Sequence, residues 1–551
     1  MKTMKTVLKR LCALTMAAAL LGSSLAGCGS KTTGDGGTES ASSGEVSASE
    51  ENTGWDGTMP ITEEPISITI AAKQASYVSD WNGLPVLEEL EKRTNVHVDY
   101  QMVPEQGSTE KFNVMLAGNE LPDAFLSSDF TPAQLVSNGK NGIFLNIKDL
   151  LAENTPNFNK VLEEYPDVEA DITAPDGNIY AMPQLYMDFP SLGVNKLWFN
   201  DNWMEALDAE LPTTMDELYN LMVRMHTEDP NGNGEQDELP LSNAQNNIDN
   251  LVTFFGGAYG VCNRGDKNKN IDFDEETQKV RYYPTTDGYK EMMKFFVKCY
   301  QEGLIDPELF TMDKTKLLAK GAEGKVGMFI QPNTFYETAD MTLTPLGEPL
   351  IGPEGDQMLS AISPMVCNVN GLIITATNPY PEETLRWVDY FYGDEGAELI
   401  WMGIKDETYY EDENGDFKYK DEYLDPFPQS LGETTCWMAI AWPGIKSEKF
   451  GGGVNHYGPK TMAANETLQN FQPEEIWPQF MFEPEESDKV VQYESDLNSY
   501  IKDMQAQWIT GRTDVDGSWE EFLSTLKTMG SEELTALYQA AYDRRLSNEN
   551  E

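Results

Sequence analysis

The chain has 551 residues, with 39 basic side chains against 92 acidic ones and a formal net charge of −53. That field repels nucleic acid and anionic lipid, and no run of Lys or Arg makes a local exception, so no nucleic-acid partner is expected. With 40% hydrophobic residues the chain has ample material for burial, and its length exceeds what one core can serve, which predicts two or three compact units.

Lys2, Lys5, Lys9 and Arg10 form a positive head, followed by an apolar run from Leu11 to Leu21 and small residues up to Leu25-Ala26-Gly27-Cys28. The run falls short of the ~20 residues that span a bilayer and has the layout of a secretory signal. The last four residues resemble the bacterial lipobox, which implies cleavage before Cys28 and lipidation of its sulfur; the alternative is an ordinary signal peptide with a chance cysteine. Residues 1–27 are therefore read as a lipoprotein signal peptide, whose loss takes the charge from −53 to −57. No second apolar stretch is long enough to span a bilayer, so the N-terminal lipid is the expected hold on the membrane. Residues 28–62 are expected to be the lipidated cysteine and a disordered tether, since Gly, Ser, Thr and Glu dominate from Gly29 to Met59.

Order is expected from Ile66. Ile66-Ser67-Ile68-Thr69-Ile70 alternates as a strand, Val86, Leu87 and Leu90 mark a helix, and Val96 and Val98 a second strand. Phe112, Met115 and Leu116 suggest a helix closed by Gly118, and Pro122-Asp123-Ala124-Phe125-Leu126 a third strand. Strands alternating with helices imply a parallel sheet covered by helices. Further on, Tyr289, Met292, Met293, Phe296, Val297 and Tyr300 form a helical stripe, as do Leu385, Val388 and Phe391, and Leu497, Tyr500, Ile501, Met504 and Trp508. A strand runs through Gly371-Leu372-Ile373-Ile374-Thr375. Cys262, Cys299, Cys367 and Cys436 remain once Cys12 leaves and Cys28 is the anchor; they lack a CxxC pattern, and both disulfides and buried free thiols fit them.

Four stretches then follow one another in a recognisable order: Glu91-Lys92-Arg93-Thr94-Asn95-Val96 through Asn119-Glu120-Leu121-Pro122-Asp123; Asp176-Gly177-Asn178-Ile179-Tyr180-Ala181-Met182-Pro183-Gln184; Glu302-Gly303-Leu304-Ile305-Asp306-Pro307-Glu308; and Gln507-Trp508-Ile509-Thr510-Gly511. From Ile66 onward the chain resembles an extracellular solute-binding lipoprotein of a bacterial ABC importer, within the large oligosaccharide-binding group that includes the alginate-binding proteins. The resemblance implies an α/β, two-lobe periplasmic-binding-protein-like fold with a hinge and an interlobe cleft. It also implies a monomer on the outer face of the cell membrane that delivers an oligosaccharide to ABC permease subunits without altering it. The binding domain is placed at 63–551, the first lobe at about 63–183 and 363–405 and the second at about 184–362 and 406–551. Hinge strands are expected near 181–183 and 363–371.

The sharpest local motif runs from Asp229 to Glu238. Asp229, Asn231 and Asn233 stand at loop positions 1, 3 and 5, Gly234 at the sharp turn, Glu235 offers a backbone carbonyl, and Asp237 is at position 9. Calcium takes six to eight hard oxygen ligands from such alternating positions. Position 12 is Pro240, so this is no standard EF-hand. The alginate-binding proteins have a similar loop, which implies that Asp237 and Glu238 complete the shell of a structural Ca2+.

Sugars present C–H faces ringed by hydroxyls and call for aromatic platforms beside short polar groups, placed beyond the carboxyl ends of the strands. The ligand-binding candidates are Gln74, Tyr77 and Trp81 after the first strand, Ser128 and Asp129 after the third, Gln184 and Tyr186 past the crossing, and Gln331, Asn333, Trp437 and Trp442 in connecting segments. Trp81, Trp437 and Trp442 lead as stacking platforms, and a uronate ligand would call on Lys73 or Arg264. The chain has no GxSxG, HExxH, Walker or GxGxxG pattern. A secreted, lipid-anchored carbohydrate-active enzyme and a binder of peptide or another polar solute stand as alternatives.

Overall fold

In the computed structural model, β1 (Ile66–Gln74) keeps the alternation of its sequence, with Ile68 and Ile70 buried and Ser67 exposed. The structure describes residues 54–549 except 75–79, 119–120, 188–194, 244–247, 332–341, 414, 416, 424–428, 436–441 and 451–458. β1 pairs in parallel with β2 (Val96–Pro104) and β3 (Ala124–Leu126), the helices Pro85–Thr94 and Ser108–Ala117 serving as crossovers. Pro85 suits the first turn of its helix, where no N–H partner is needed, and Asn95 ends it in the left-handed region at φ 62°. Asp123 ties the strands together, its carboxylate accepting from the Thr69 backbone N–H at 2.7 Å and hydroxyl at 3.0 Å.

β4 (Met182–Tyr186), β11 (Val366–Ile374) and β14 (Gly444–Lys446) complete a six-stranded sheet in the order β14-β4-β11-β3-β1-β2, with β11 antiparallel to both β3 and β4. A second sheet has the order β10-β5-β9-β6, from β5 (Lys196–Asn200), β6 (Leu239–Leu241), β9 (Val326–Gln331) and β10 (Leu343–Pro345). Two hairpins, β7 (Ile271–Asp274) with β8 (Lys279–Tyr282) and β12 (Tyr409–Glu411) with β13 (Phe417–Tyr419), stand apart from these.

Each sheet has its own core. Ile70, Phe112, Phe125, Leu372 and Trp387 belong to the first. Leu197, Phe199 and Met328 belong to the second, with the helical stripes Tyr289, Met292, Met293 and Phe296 and Leu497, Ile501, Met504 and Trp508. Two lobes result. Cys262, Cys299 and Cys367 are free thiols, and burial pushes Cys262 and Cys299 up to about 12; Cys436 lies outside the described residues.

The lobe limits differ from those expected in two respects. The described residues between 406 and 450 pack on the first lobe, not the second. β14 pairs with β4, the Trp401 indole donates to the Ile445 carbonyl at 2.7 Å, and Trp401 and Met402 cluster with Tyr409, Phe417, Tyr419, Leu431 and Phe450. β4 is likewise a strand of the first sheet, so the chain crosses between sheets only after it, between β4 and β5, and again before β11 and after β14. The end of the expected tether is also ordered: the Trp55 N–H donates to the Glu153 carbonyl at 2.8 Å and Ile61 joins the first core, because these two apolar side chains have a face to bury against. Cys28 and residues 1–53 lie outside the described residues.

Candidate functional site

The parallel strands β1 and β3 end at the same edge of the first sheet, and antiparallel β11 begins there. Beyond this edge a cavity of about 390 Å³ is lined by Lys73, Ser127, Ser128, Asp129, Asn368 and Asn370 from the first lobe, and by Lys267 and Gln479 from the second. The Ser127 and Ser128 hydroxyls and the Asn370 Oδ1 are buried with no partner among the described residues. A buried polar group left so costs about 1–3 kcal/mol, which a hydrogen bond from a hydroxylated ligand or an ordered water would relieve. Lys73 Nζ is 2.5 Å from Asp129 Oδ1, and Asp129 also accepts from the Ser108 hydroxyl.

A second cavity, of about 310 Å³, opens in the other lobe, where Asn195, Asn250, Thr253, Asp266, Asn268 and Gln505 are among its lining residues. The segment 264–270 divides the two spaces, Lys267 lining the first cavity and Asp266 and Asn268 the second. That segment is held to the crossing chain before β11: the Asp266 N–H donates to the Ile362 carbonyl at 3.0 Å, and the Ser363 hydroxyl is 2.9 and 3.0 Å from the two Asp266 carboxylate oxygens. Gly265 makes the approach possible, since its φ is +86° and a Cβ there would stand 2.6 Å from the Ile362 carbonyl oxygen. The cavities thus flank one second-lobe segment that is tied to a crossing of the chain, the first of them at the carboxyl ends of β1 and β3, where α/β lobes bind ligands. Lys196 sits at the matching edge of the second sheet, opposite Gln331, and burial lowers its ammonium to about 7.

Ser128 and Asp129 line the first cavity. Gln74 is half-buried at the end of β1, and Gln184 is buried opposite Asn368 with its Oε1 unpartnered. Tyr186 is half-buried under the Lys446 ammonium, 5.1 Å from the ring centroid. Gln331 is buried, its carbonyl accepting from the Trp198 indole at 2.8 Å. Trp81 and Trp442 are core residues and not platforms: their rings are 5.4 Å apart, and Tyr100, Trp387 and Phe391 pack around them. Tyr77, Asn333 and Trp437 lie outside the described residues. Arg264 turns away from the cleft, with Nη2 2.6 Å from Glu275 and its guanidinium 4.6 Å over Phe273. Sequence reasoning missed Asp266, Lys267, Asn368 and Gln479; the polar run Asn263 to Asn270 was the one available signal.

In the loop Asp229 to Glu238, Asp229, Gly232 and Gly234 take φ of 52°, 70° and 78°. The Asp229 carboxylate accepts from the Asn233 and Gly234 N–H groups at 3.1 Å each, and Asn231 Oδ1 and Asn233 Oδ1 accept from the N–H groups two residues on. The Asn233 and Asn231 amides donate to Asp237 Oδ1 at 3.0 and 3.1 Å. Asn233 above all, with Asn231 and Lys325, holds the Asp237 carboxyl below its usual range. Glu238 is buried with Oε1 unpartnered. Among the described residues no three His, Cys, Asp or Glu side chains form a metal cluster, so a cation here would also draw on Asn and main-chain oxygens. Those hard donors and the orphaned Glu238 oxygen fit calcium.

The family model "Bacterial extracellular solute-binding protein" matches residues 84–398, more than half of the chain. The chain is 27% identical over 519 residues to the fructooligosaccharide ABC transporter substrate-binding protein FusA of Streptococcus pneumoniae serotype 4, covering 90% of this chain and 93% of that protein. The structure of FusA with kestose matches at a TM-score of 0.71 and 26% identity, covering 88% of this chain and 100% of that one; an EF-hand mutant of FusA with fructo-nystose matches at 0.70 and 25%, with the same coverage. The lipoprotein LipO of Bacillus subtilis is 24% identical over 511 residues, covering 86% and 93% of the two chains. The alginate-binding protein AlgQ2, solved without calcium ion, shares the fold at a TM-score of 0.68 and 22% identity, with 88% and 99% covered. With its two lobes, hinge segment and cleft, the chain belongs to the family of bacterial extracellular solute-binding proteins.

Proposed function

We propose that this protein is the capturing component of an ABC importer, holding an oligosaccharide between its lobes and passing it unaltered to the membrane permease. The observation that carries the reading is the hinge-flanking cleft, where Ser127, Ser128 and Asn370 offer buried unpartnered oxygens and the Asn195, Asn250 and Asn268 amides stand on the facing lobe. Hydroxyl groups satisfy such atoms in both directions, as donors and as acceptors. Groups from both lobes touching one ligand favour the closed arrangement by their combined contacts, which gives a hinge closure its direction. The kinship with FusA supports a sugar as the solute.

Calorimetry of the mature chain against a panel of neutral and acidic oligosaccharides tests this reading. One-to-one saturable binding with the sugar recovered intact is expected. Hydrolysis or elimination products would establish an enzyme, and binding of peptides alone would replace the ligand class.

Two finer points belong to the same reading. Cys28 is lipidated and holds the protein at the outer face of the membrane; the described helices include none long and apolar enough to cross it. The mass of the mature N-terminus checks this. Calcium is held by Asp229, Asn231, Asn233, the Glu235 carbonyl, Asp237 and Glu238, and stiffens the lead into β6. It stabilises the fold and takes no part in ligand chemistry.

A further inference from the structure

We infer, on the basis of the oligosaccharide reading above, that the cleft selects uncharged sugars, and that Asp129 and Asp249 enforce this by occupying Lys73 and Lys269. Three lysines and three aspartates line the two cavities, and among the described residues no arginine does. Lys73 is 2.5 Å from Asp129, and the pair is mostly buried, with the side chains 13% and 24% exposed. Asp129 is held in place from its other oxygen by the Ser108 hydroxyl. Lys269 is 2.7 Å from Asp249, which also lies 3.6 Å from Lys502. Lys267, half-buried on the first cavity, directly follows Asp266 and has no ion pair among the described residues.

Recognition of a carboxylate favours an arginine fork or a lysine free to turn toward it. A uronate that engages Lys73 must pull it from Asp129, leaving a partly buried carboxylate beside the incoming one, an arrangement that costs more than the new contact returns. Lys446 and Lys196 are not offered to a ligand: Lys446 is buried with its ammonium over the rings of Tyr186 and Trp401, and Lys196 is buried at the second sheet edge. The net charge of −53 adds long-range repulsion. Neutral hydroxyls face no such penalty, because a paired carboxylate keeps lone pairs for an O–H donor.

Calorimetry on the mature chain at low and high salt tests the inference, with kestose, maltotriose and xylotriose as neutral probes and trigalacturonate as the acidic one. The tightest neutral sugar should bind at least about tenfold more strongly than trigalacturonate, and its affinity should be nearly independent of salt. Asp129→Asn, which releases Lys73, should raise the affinity of trigalacturonate relative to that neutral sugar by about tenfold; Asp249→Asn should do the same through Lys269 and serves if the first variant does not fold. Trigalacturonate binding as tightly as every neutral sugar, or ratios unmoved in the folded variants, overturns the inference while leaving the oligosaccharide reading intact. Binding by none of the four sugars overturns both.

Discussion

Asp389 ends the helix Pro381–Asp389 fully buried, accepting from the Phe158 N–H at 2.8 Å, the Asn157 N–H at 3.2 Å and the Asn157 amide at 3.0 Å. Burial pushes its carboxyl up to about 7, against the pull of those donors. The folded chain then keeps a proton that the unfolded chain releases near 4. The group's contribution to stability is full below pH 4 and is lost as the pH rises through about 7. In urea titrations the stability advantage of wild type over Asp389→Asn should shrink from pH 4 to pH 7; an advantage that grows over that range contradicts the assignment. At this scale the sequence was only partly legible. That Ser128 and Asp129 line a cavity follows from their place in the loop just after β3. Trp81 and Trp442 misled because an indole serves a core as well as it serves a sugar face. Asp266, Lys267 and Gln479 carry polarity common to every exposed loop in a chain with 92 acidic residues.

Two elements join parts that are distant in sequence. The segment from Asp229 to Glu238 leads straight into β6, whose Leu239 N–H donates to the Lys325 carbonyl before β9. Calcium bound there should raise the melting temperature by mass action, so a chelator should lower it in wild type and leave Asp229→Ala unmoved. Equal melting with and without chelator contradicts the calcium site. The loop stands out in the sequence because oxygen-bearing side chains alternate around a glycine turn. The C-terminal helix Ser531–Glu549 joins the lobes. Arg545 reaches Asp171 of the first lobe at 2.7 Å and Glu475 at 3.0 Å, both partners of the Arg545–Asp171 pair being buried. Nearby, Met481 enters the first core while Phe480 and Phe482 enter the second. Arg545→Met leaves Asp171 buried without its partner and should cost about 3–5 kcal/mol in denaturant unfolding. A loss under about 1 kcal/mol would show that this contact carries little. None of it was legible, because Asp171 and Arg545 are 374 residues apart and neither belongs to a motif.

For the whole molecule, the α/β class and the parallel start of the first sheet followed from strand and helix periodicity, and the two lobes from the order of family stretches. The lobe limits did not follow. Each crossing is a short run whose composition matches ordinary loops, and β14 is three residues long, so its return to the first sheet is decided by the fit of Trp401 and Phe450, which periodicity cannot reveal. Three crossings beside a cleft are the layout of a hinge between two lobes. Closure of the two lobes on a sugar is the central expectation. Small-angle scattering of the mature chain, with and without a saturating oligosaccharide that binds in calorimetry, measures this directly. A smaller radius of gyration with sugar, restored when the sugar is dialysed away, is the predicted result; an identical radius in both states would contradict closure over the ligand.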